Sequence, residues 1–332
     1  MDSSSVTDLV FNYGTFNFDD PDFYRKFIRG KLLYYLSIEE FNGSNGFKNN
    51  YQSENRGITE QVLNLSPIEK INIERALYEN AKEENKYYKY DFFLDNCTTR
   101  LRDIIVKHKA GHTPLNAVMP KKTRFRQAIY EYLDRNEKCW SKLGIDILLG
   151  APTDAVMITS QQQFLPDNLM KALDSTNPNH ELVLSTSQLY SLNENNRQYS
   201  IFTPGVVFSL LLITVILLSL SSAGPVNIFL QGFDGLFFFL TGGLGIVLIF
   251  MWTGTDHAMC KNNFNLLWAL PTHTSIAFFV NSKKAWVKKY FIFTIIWLIL
   301  VLLSWFFLPQ HMNNSLIPIV LLLIYRSARK LF

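Results

Sequence analysis

The sequence predicts an α+β soluble domain followed by an all-α polytopic membrane domain of five transmembrane helices. Three observations carry this. Residues 1–200 alternate polar and apolar positions, whereas beyond Ile201 come long runs almost free of charge. Residues 201–332 hold 8 Lys+Arg against 2 Asp+Glu, while the rest of the chain holds 24 against 26, so the overall net charge of +4 comes from the loops of the apolar part. That distribution belongs to a membrane protein and gives no sign of nucleic-acid binding. Finally, short strand-like runs and capped helices surround a cysteine at the head of a helix in the polar part. The boundaries follow as a soluble domain over 1–176, a linker over 177–200 and a membrane domain over 201–332.

In the polar part, Val6–Phe18 reads as strand, turn at Tyr13-Gly14, strand. Asp20-Pro21 opens a helix over Asp22–Gly30, and Gly30 stops it. Lys31–Ser37 is a strand, and Phe41–Asn55, rich in Gly and Asn, is a loop. Arg56–Leu65 is a strand. Ser66-Pro67-Ile68-Glu69 is a capping box with proline at the first helical position, starting a helix to about Glu84. His108–Lys122 is a loop; Thr123–Arg135, Lys142–Leu149 and Pro166–Leu173 are helices; Asn177–Arg197 is a polar linker.

The stretch that organises this domain is Tyr90–Asp103, Y-D-F-F-L-D-N-C-T-T-R-L-R-D. Asp95 or Asn96 caps a helix whose first turn holds Cys97, Thr98 and Thr99, and Leu101, Ile104 and Ile105 continue it on one face. A thiol there sits at the positive end of the helix dipole beside free backbone N–H groups, an environment suited to a nucleophile and an oxyanion site. Arg100 and Arg102 add positive charge one turn on. A small sheet with a capped cysteine helix fits a papain-like cysteine fold, whose nucleophile needs a histidine close by. His108 lies eleven residues along the same helix, about 16 Å away at 1.5 Å per residue. His112 and His180 fall in loops. Cys97, Cys139 and Cys260 have neither disulfide-like nor metal-like spacing, and no cofactor is implied.

Five spans are expected: Thr203–Ser222, Phe233–Trp252, Leu266–Val280, Tyr290–Leu308 and Leu316–Tyr325. The third and fifth are short, open to a re-entrant or mismatched reading. Lys283, Lys284, Lys288 and Lys289 lie between spans three and four, and Arg326, Arg329 and Lys330 follow span five. Both clusters belong inside by the positive-inside rule, which puts residues 1–200 and the 253–265 loop outside. That loop carries Asp256 and His257 on the Cys97 side of the membrane, and His273 falls in the outer half of span three, where ionisable groups usually face the bundle interior.

Five spaced segments resemble the Lnb family: V-F-N-Y-G-T-F-N-F (Val10–Phe18), D-F-Y-R-K-F-I-R-G-K-L-L-Y (Asp22–Tyr34), E-N-R (Glu54–Arg56), the Cys97 stretch, and D-I-L-L-G-A-P-T-D (Asp146–Asp154). T-D-H…N-x-N-L-L-W-A-L-P (Thr255–Pro271) is similar to that family's membrane-domain signature. The resemblance implies a periplasmic papain/NlpC-like domain fused to five membrane helices in the bacterial inner membrane, with the C-terminus cytoplasmic. It also implies acyl transfer from a phospholipid donor to the N-terminal amine of diacylated lipoproteins through a Cys97 thioester. Cys97 and His257 then stand as catalytic candidates, Asn96, Thr98, Arg100 and Asp256 as supporting ones, and Tyr13, Arg56, Tyr90 and Trp268 as substrate-binding ones. In the family a histidine-bearing strand precedes V-x-N-Y-G. This chain opens Met1-Asp2-Ser3-Ser4-Ser5 without a basic start or apolar leader, so the expectation is a chain lacking that strand and a signal peptide. Two alternatives stay open, a membrane-tethered cysteine amidase or peptidase and an inactive binding module.

Overall fold

The computed structural model describes residues 8–44, 46–109, 115–174, 182–191 and 201–331. The chain runs β1 (Leu9–Phe16), α1 (Phe23–Ile28), β2 (Leu33–Glu40), α2 (Phe47–Ser53), β3 (Ile58–Leu63), α3 (Pro67–Ala81), β4 (Tyr87–Lys89) and α4 (Cys97–His108). Next come α5 (Phe125–Arg135), α6 (Cys139–Leu148), α7 (Pro166–Asp174) and β5 (Val183–Tyr190). The apolar part gives α8 (Pro204–Leu218), α9 (Gly224–Thr253), α10 (Thr272–Ala277), α11 (Ala285–Ser304) and α12 (Ile317–Ala328). Two compact units result: Met1–Phe125 with Val156–Asn196, and Arg126–Ala155 with Arg197–Phe332. Residues 126–155, read from the sequence as part of the soluble domain, therefore pack within the second unit.

In the first unit β1, β2 and β4 form an antiparallel sheet in the order β1-β2-β4. The expected turn at Tyr13-Gly14 is instead an irregularity inside one continuous strand, where the register shifts between Asn12 and Thr15. The Asn12 side chain accepts a bond from Gly14 N–H at 2.8 Å, absorbing the extra residue locally. The α1 helix stops at Gly30 in the left-handed region (φ +65°). Ser66 and Glu69 close the capping box reciprocally ahead of α3. Tyr13, Leu36, Tyr88 and Ile104 bury one face of the sheet against α4. Two expectations fail here. Phe47–Ser53 is a helix rather than a loop, and Val183–Tyr190 is a strand paired with β3 rather than linker.

The second unit is helical. Gly224–Thr253 and Ala285–Ser304 are long and apolar enough to cross a membrane, and Pro204–Leu218 is a shorter apolar helix. The third expected span is not a continuous helix. It breaks into a 3₁₀ turn, Phe264–Leu267, and the six-residue α10. The reason is close backbone packing. A Cβ on Gly245 would lie 2.0 Å from the Ala269 carbonyl oxygen, and one on Gly242 would lie 2.1 Å from Thr274 N. Irregular backbone at such depth survives where protein groups satisfy it, as when Trp297 Nε1 donates to the Leu267 carbonyl at 2.7 Å.

Arg126 holds the 126–155 segment together, and Asn263, Asn265, Gln310 and Asn313 bond that segment to the rest of the unit. Its guanidinium, 1% exposed, donates to Asp154 (3.1 Å), Asp146 (2.8 Å), Thr153 Oγ1 (2.7 Å) and the carbonyls of Leu149 (3.1 Å) and Gly150 (3.2 Å). Such saturation is what a buried charge requires. The Asp146–Asp154 motif is thereby the partner set of a buried arginine.

Candidate functional site

The Cys97 helix is built by two successive caps. Asp91 accepts bonds from the N–H groups of Phe93 (2.9 Å) and Leu94 (3.0 Å), turning the chain toward α4. Asn96, not Asp95, is then the N-cap. Its Oδ1 accepts from Thr99 N–H at 2.9 Å, and Thr99 Oγ1 accepts from Asn96 N–H at 2.8 Å. The Asn96 amide donates further to the carbonyls of Phe92 (2.7 Å) and Phe164 (2.9 Å), which ties the start of α4 to the α7 side of the unit. Cys97 thus occupies the first helical position, half-buried. Among the described residues no acceptor meets the N–H groups of Cys97 or Thr98, so both remain available at the positive end of the helix.

Arg100, expected to support the site with positive charge one turn past Cys97, has an anionic partner. It forms a two-pronged pair with Asp95, both contacts at 2.6 Å, and lies 4.3 Å from the centre of the Tyr88 ring. The bonds to Asp95 hold its pKa above the ordinary arginine value. The pair braces the first turn. Thr98 is buried beside it.

Cys97 opens on a cleft of about 470 Å³. Tyr34 and Tyr90 stack on one another at 4.0 Å along one wall, Phe16 adjoins Tyr34 at 4.9 Å, and Glu39, Glu54 and Arg56 supply charge. Arg56 lies 3.9 Å over the Tyr51 ring and pairs with Glu54 at 3.1 Å. Burial first, and negative charge at Cys97 second, push the Tyr34 and Tyr90 phenols above the ordinary tyrosine value. That wall therefore presents O–H donors that stay protonated well into the alkaline range. The cleft can hold an extended apolar group beside a thiol, with hydrogen-bond donors at hand.

Of the sequence candidates, Cys97, Arg56 and Tyr90 meet in this cleft. Tyr13 does not line it. It is 6% exposed, its hydroxyl accepts from Asn80 at 2.8 Å and its carbonyl accepts from Tyr88 at 2.7 Å, so it is a core residue. Asp256, His257 and Trp268 lie in the second unit. Asp256 is exposed and His257 half-buried ahead of the Ala258–Cys260 turn. Trp268, 2% exposed, donates from Nε1 to Asn265 Oδ1 at 2.9 Å inside the helical core, a packing position rather than a ligand-facing one. His108 ends α4, whereas His112 and His180 fall outside the described residues. Phe16, Tyr34, Glu39 and Tyr51 were missed as candidates. Phe16 and Tyr34 stood within segments singled out as motifs, and strand pairing across β1 and β2 sets them opposite each other.

Residues 1–140 match a family model described as the Lnb N-terminal periplasmic domain, and residues 195–332 match one described as the Lnb transmembrane domain. No curated protein and no solved structure matches the chain.

Proposed function

The chain belongs to the Lnb family, a membership that supports a role in lipoprotein processing, and from that premise we propose that it is a membrane acyltransferase with Cys97 as nucleophile. The observation that carries this reading is a half-buried thiol at the first position of an Asn96-capped helix, opening on a cleft walled by tyrosines. The periplasmic domain and the helical membrane domain of the family suit a substrate held at a bilayer.

The reaction runs in two halves. Cys97 Sγ, its proton taken by a base, attacks the ester carbonyl of a phospholipid. The oxyanion accepts hydrogen bonds from the Cys97 and Thr98 N–H groups, and the lipid alkoxide leaves with a proton. The thioester carbonyl is then attacked by the N-terminal amine of a diacylated lipoprotein. The C–S bond breaks, the amine proton is lost, and the thiol returns. A capped cysteine helix packed on a small antiparallel sheet supports the papain/NlpC-like reading of the first domain. The cationic loop at Lys283–Lys289 supports an inner-membrane protein with its C-terminus in the cytoplasm.

Cys97→Ser tests the assignment, because a hydroxyl replaces the thiol at nearly equal volume. N-acylation of lipoprotein N-terminal peptides, scored by mass spectrometry, falls by ~2–4 orders of magnitude while membrane insertion persists. Undiminished N-acylation in a host lacking other N-acyltransferases ends the nucleophile assignment. His257→Ala in the same assay tests whether that histidine handles the proton.

A further inference from the structure

The cleft does not end at Tyr34. Phe16 touches Phe18 at 4.5 Å and Phe23 at 5.8 Å, Phe18 touches Phe23 at 4.9 Å, and Phe23 continues to Tyr24 at 5.3 Å and Phe27 at 6.2 Å. With the Tyr90–Tyr34 stack and the Tyr34–Phe16 contact, an unbroken track of rings runs from beside Cys97 to the surface. At its outer end the rings lie bare: Phe18 is 69% exposed, Tyr24 78% and Phe27 55%, with Ile28 at 49% beside them. A contiguous aromatic patch of this kind is uncommon on a water-facing surface. Two exposed cations, Arg29 and Lys31, flank it and make no ion pair among the described residues, against one such acid, Asp19, while Asp20 and Asp22 are paired with Lys26 and Arg25.

We propose that this patch docks on the surface of a phospholipid bilayer and that the ring track leads an acyl chain from the leaflet to Cys97. The inference rests on the acyltransfer reading and adds to it the lipid-facing surface of the first domain. Aromatic side chains with an apolar body favour the membrane interface, and flanking cations complement lipid phosphates. A bilayer is at hand, because the same chain carries helices long and apolar enough to cross one. The track is a continuous series of aromatic rings, with the charged and polar groups of the cleft at its Cys97 end, which suits a hydrocarbon chain whose ester reaches the thiol. A peptide would need backbone partners along the way.

The test uses the full chain in phosphatidylethanolamine–phosphatidylglycerol vesicles. A photoreactive benzoylphenylalanine replaces Tyr24, or Tyr78 as an exposed control on α3. The proposal expects a lipid adduct at position 24 about tenfold above that at 78. In parallel, Phe18→Ser with Phe27→Ser lowers the rate of Cys97 acylation from bilayer phospholipid about tenfold relative to the rate from a water-soluble short-chain ester. Equal adducts at both positions, or an unchanged ratio of the two rates, overturns the proposal. If wild-type Cys97 takes no acyl group from the soluble ester, the nucleophile assignment fails instead, and the adduct alone decides the docking surface.

Discussion

Arg326 and Asp234 form a two-pronged ion pair within the helical unit, Nε to Oδ1 at 2.5 Å and Nη2 to Oδ2 at 2.8 Å, with the two side chains 5% and 0% exposed. The pair joins α12 to α9, and the arginine also donates to Ser219 Oγ at 2.7 Å, just past the end of α8. Lys330 reaches the same carboxylate. Removing one partner of such a pair leaves a buried charge uncompensated, which costs more than the pair itself contributes. Because Lys330 still reaches Asp234 when Arg326 is absent, the sharper test removes the carboxylate: Asp234→Leu strips the buried Arg326 of its partner and is expected to destabilise the protein by about 3–5 kcal/mol. The double change Asp234→Leu with Arg326→Leu recovers most of that loss. Thermal unfolding of the purified protein in detergent checks both, and a double variant no more stable than Asp234→Leu refutes the account.

The tyrosines around Cys97 give a second expectation. Burial raises the pKa of Tyr88 and Tyr90 above the ordinary tyrosine value, with negative charge at Cys97 the next cause for each. In the folded state these phenols keep their protons where the unfolded chain loses them. The folded form thus binds more protons above the unfolded value of about 10, so its stability falls as pH rises past that point. For one fully retained proton the limiting slope is about 1.4 kcal/mol per pH unit. Tyr90→Phe removes one such group and flattens the decline. A denaturant-unfolding series across the alkaline range measures it, and a slope equal to that of wild type counts against the burial of Tyr90.

Local signals were legible where a few neighbouring residues decide the conformation. The Ser66–Glu69 capping box, the Gly30 stop and the helix beginning at Cys97 rest on hydrogen bonds or backbone freedom that span at most four residues. What escaped was set by distant partners. Val183–Tyr190 is polar and exposed along most of its length, and only pairing with Ile58–Leu63 makes it a strand. The turn expected at Gly14 became a bulge because Leu33–Glu40 pairs on both sides of it. The cleft shows the same division. Cys97 was visible from its cap, whereas Phe16 and Tyr34 reach it only through sheet register. Trp268 was expected to bind substrate because it falls in the Thr255–Pro271 segment similar to the family's membrane-domain signature; its burial beside Asn265 is not written in the local pattern.

Orientation follows from charges that stay free. Arg326 and Lys330 are drawn into the Asp234 site, so the C-terminal cluster presents less charge to the loops than its sequence suggests. Lys283, Lys284, Lys288 and Lys289 make no ion pair among the described residues. They are expected to dominate the positive-inside bias and hold their loop in the cytoplasm. A reporter active only in the cytoplasm, inserted between Ser282 and Lys283, is expected to give signal. Replacing the four lysines with alanine reduces the fraction of molecules that report. Signal from a reporter active only outside the cytoplasm contradicts the assignment.

Gly144 and Gly150 lie six residues apart in the sequence and make opposite demands. Gly144 sits within α6, and an added Cβ there meets nothing within 4 Å. Gly144→Ala exchanges the worst ordinary helix residue for the best, worth about 1 kcal/mol in an open position. Gly150 lies where the chain runs along residues 259–262. Its N–H donates to the Met259 carbonyl at 2.8 Å, and Ala151 N–H donates to that of Asn262 at 3.2 Å. A Cβ on Gly150 would stand 1.9 Å from the Lys261 carbonyl oxygen, a backbone atom that cannot swing aside. Relief requires parting the two segments and losing both bonds, each worth about 1 kcal/mol, and leaves buried carbonyls without donors at a further cost of about 1–3 kcal/mol. The Gly150 carbonyl also accepts from Arg126, so the shift disturbs that buried arginine as well. Gly150→Ala is accordingly expected to lower the unfolding midpoint strongly while Gly144→Ala raises it. Equal and small shifts for the two variants would show that the segment yields easily and that the close approach is not a structural constraint.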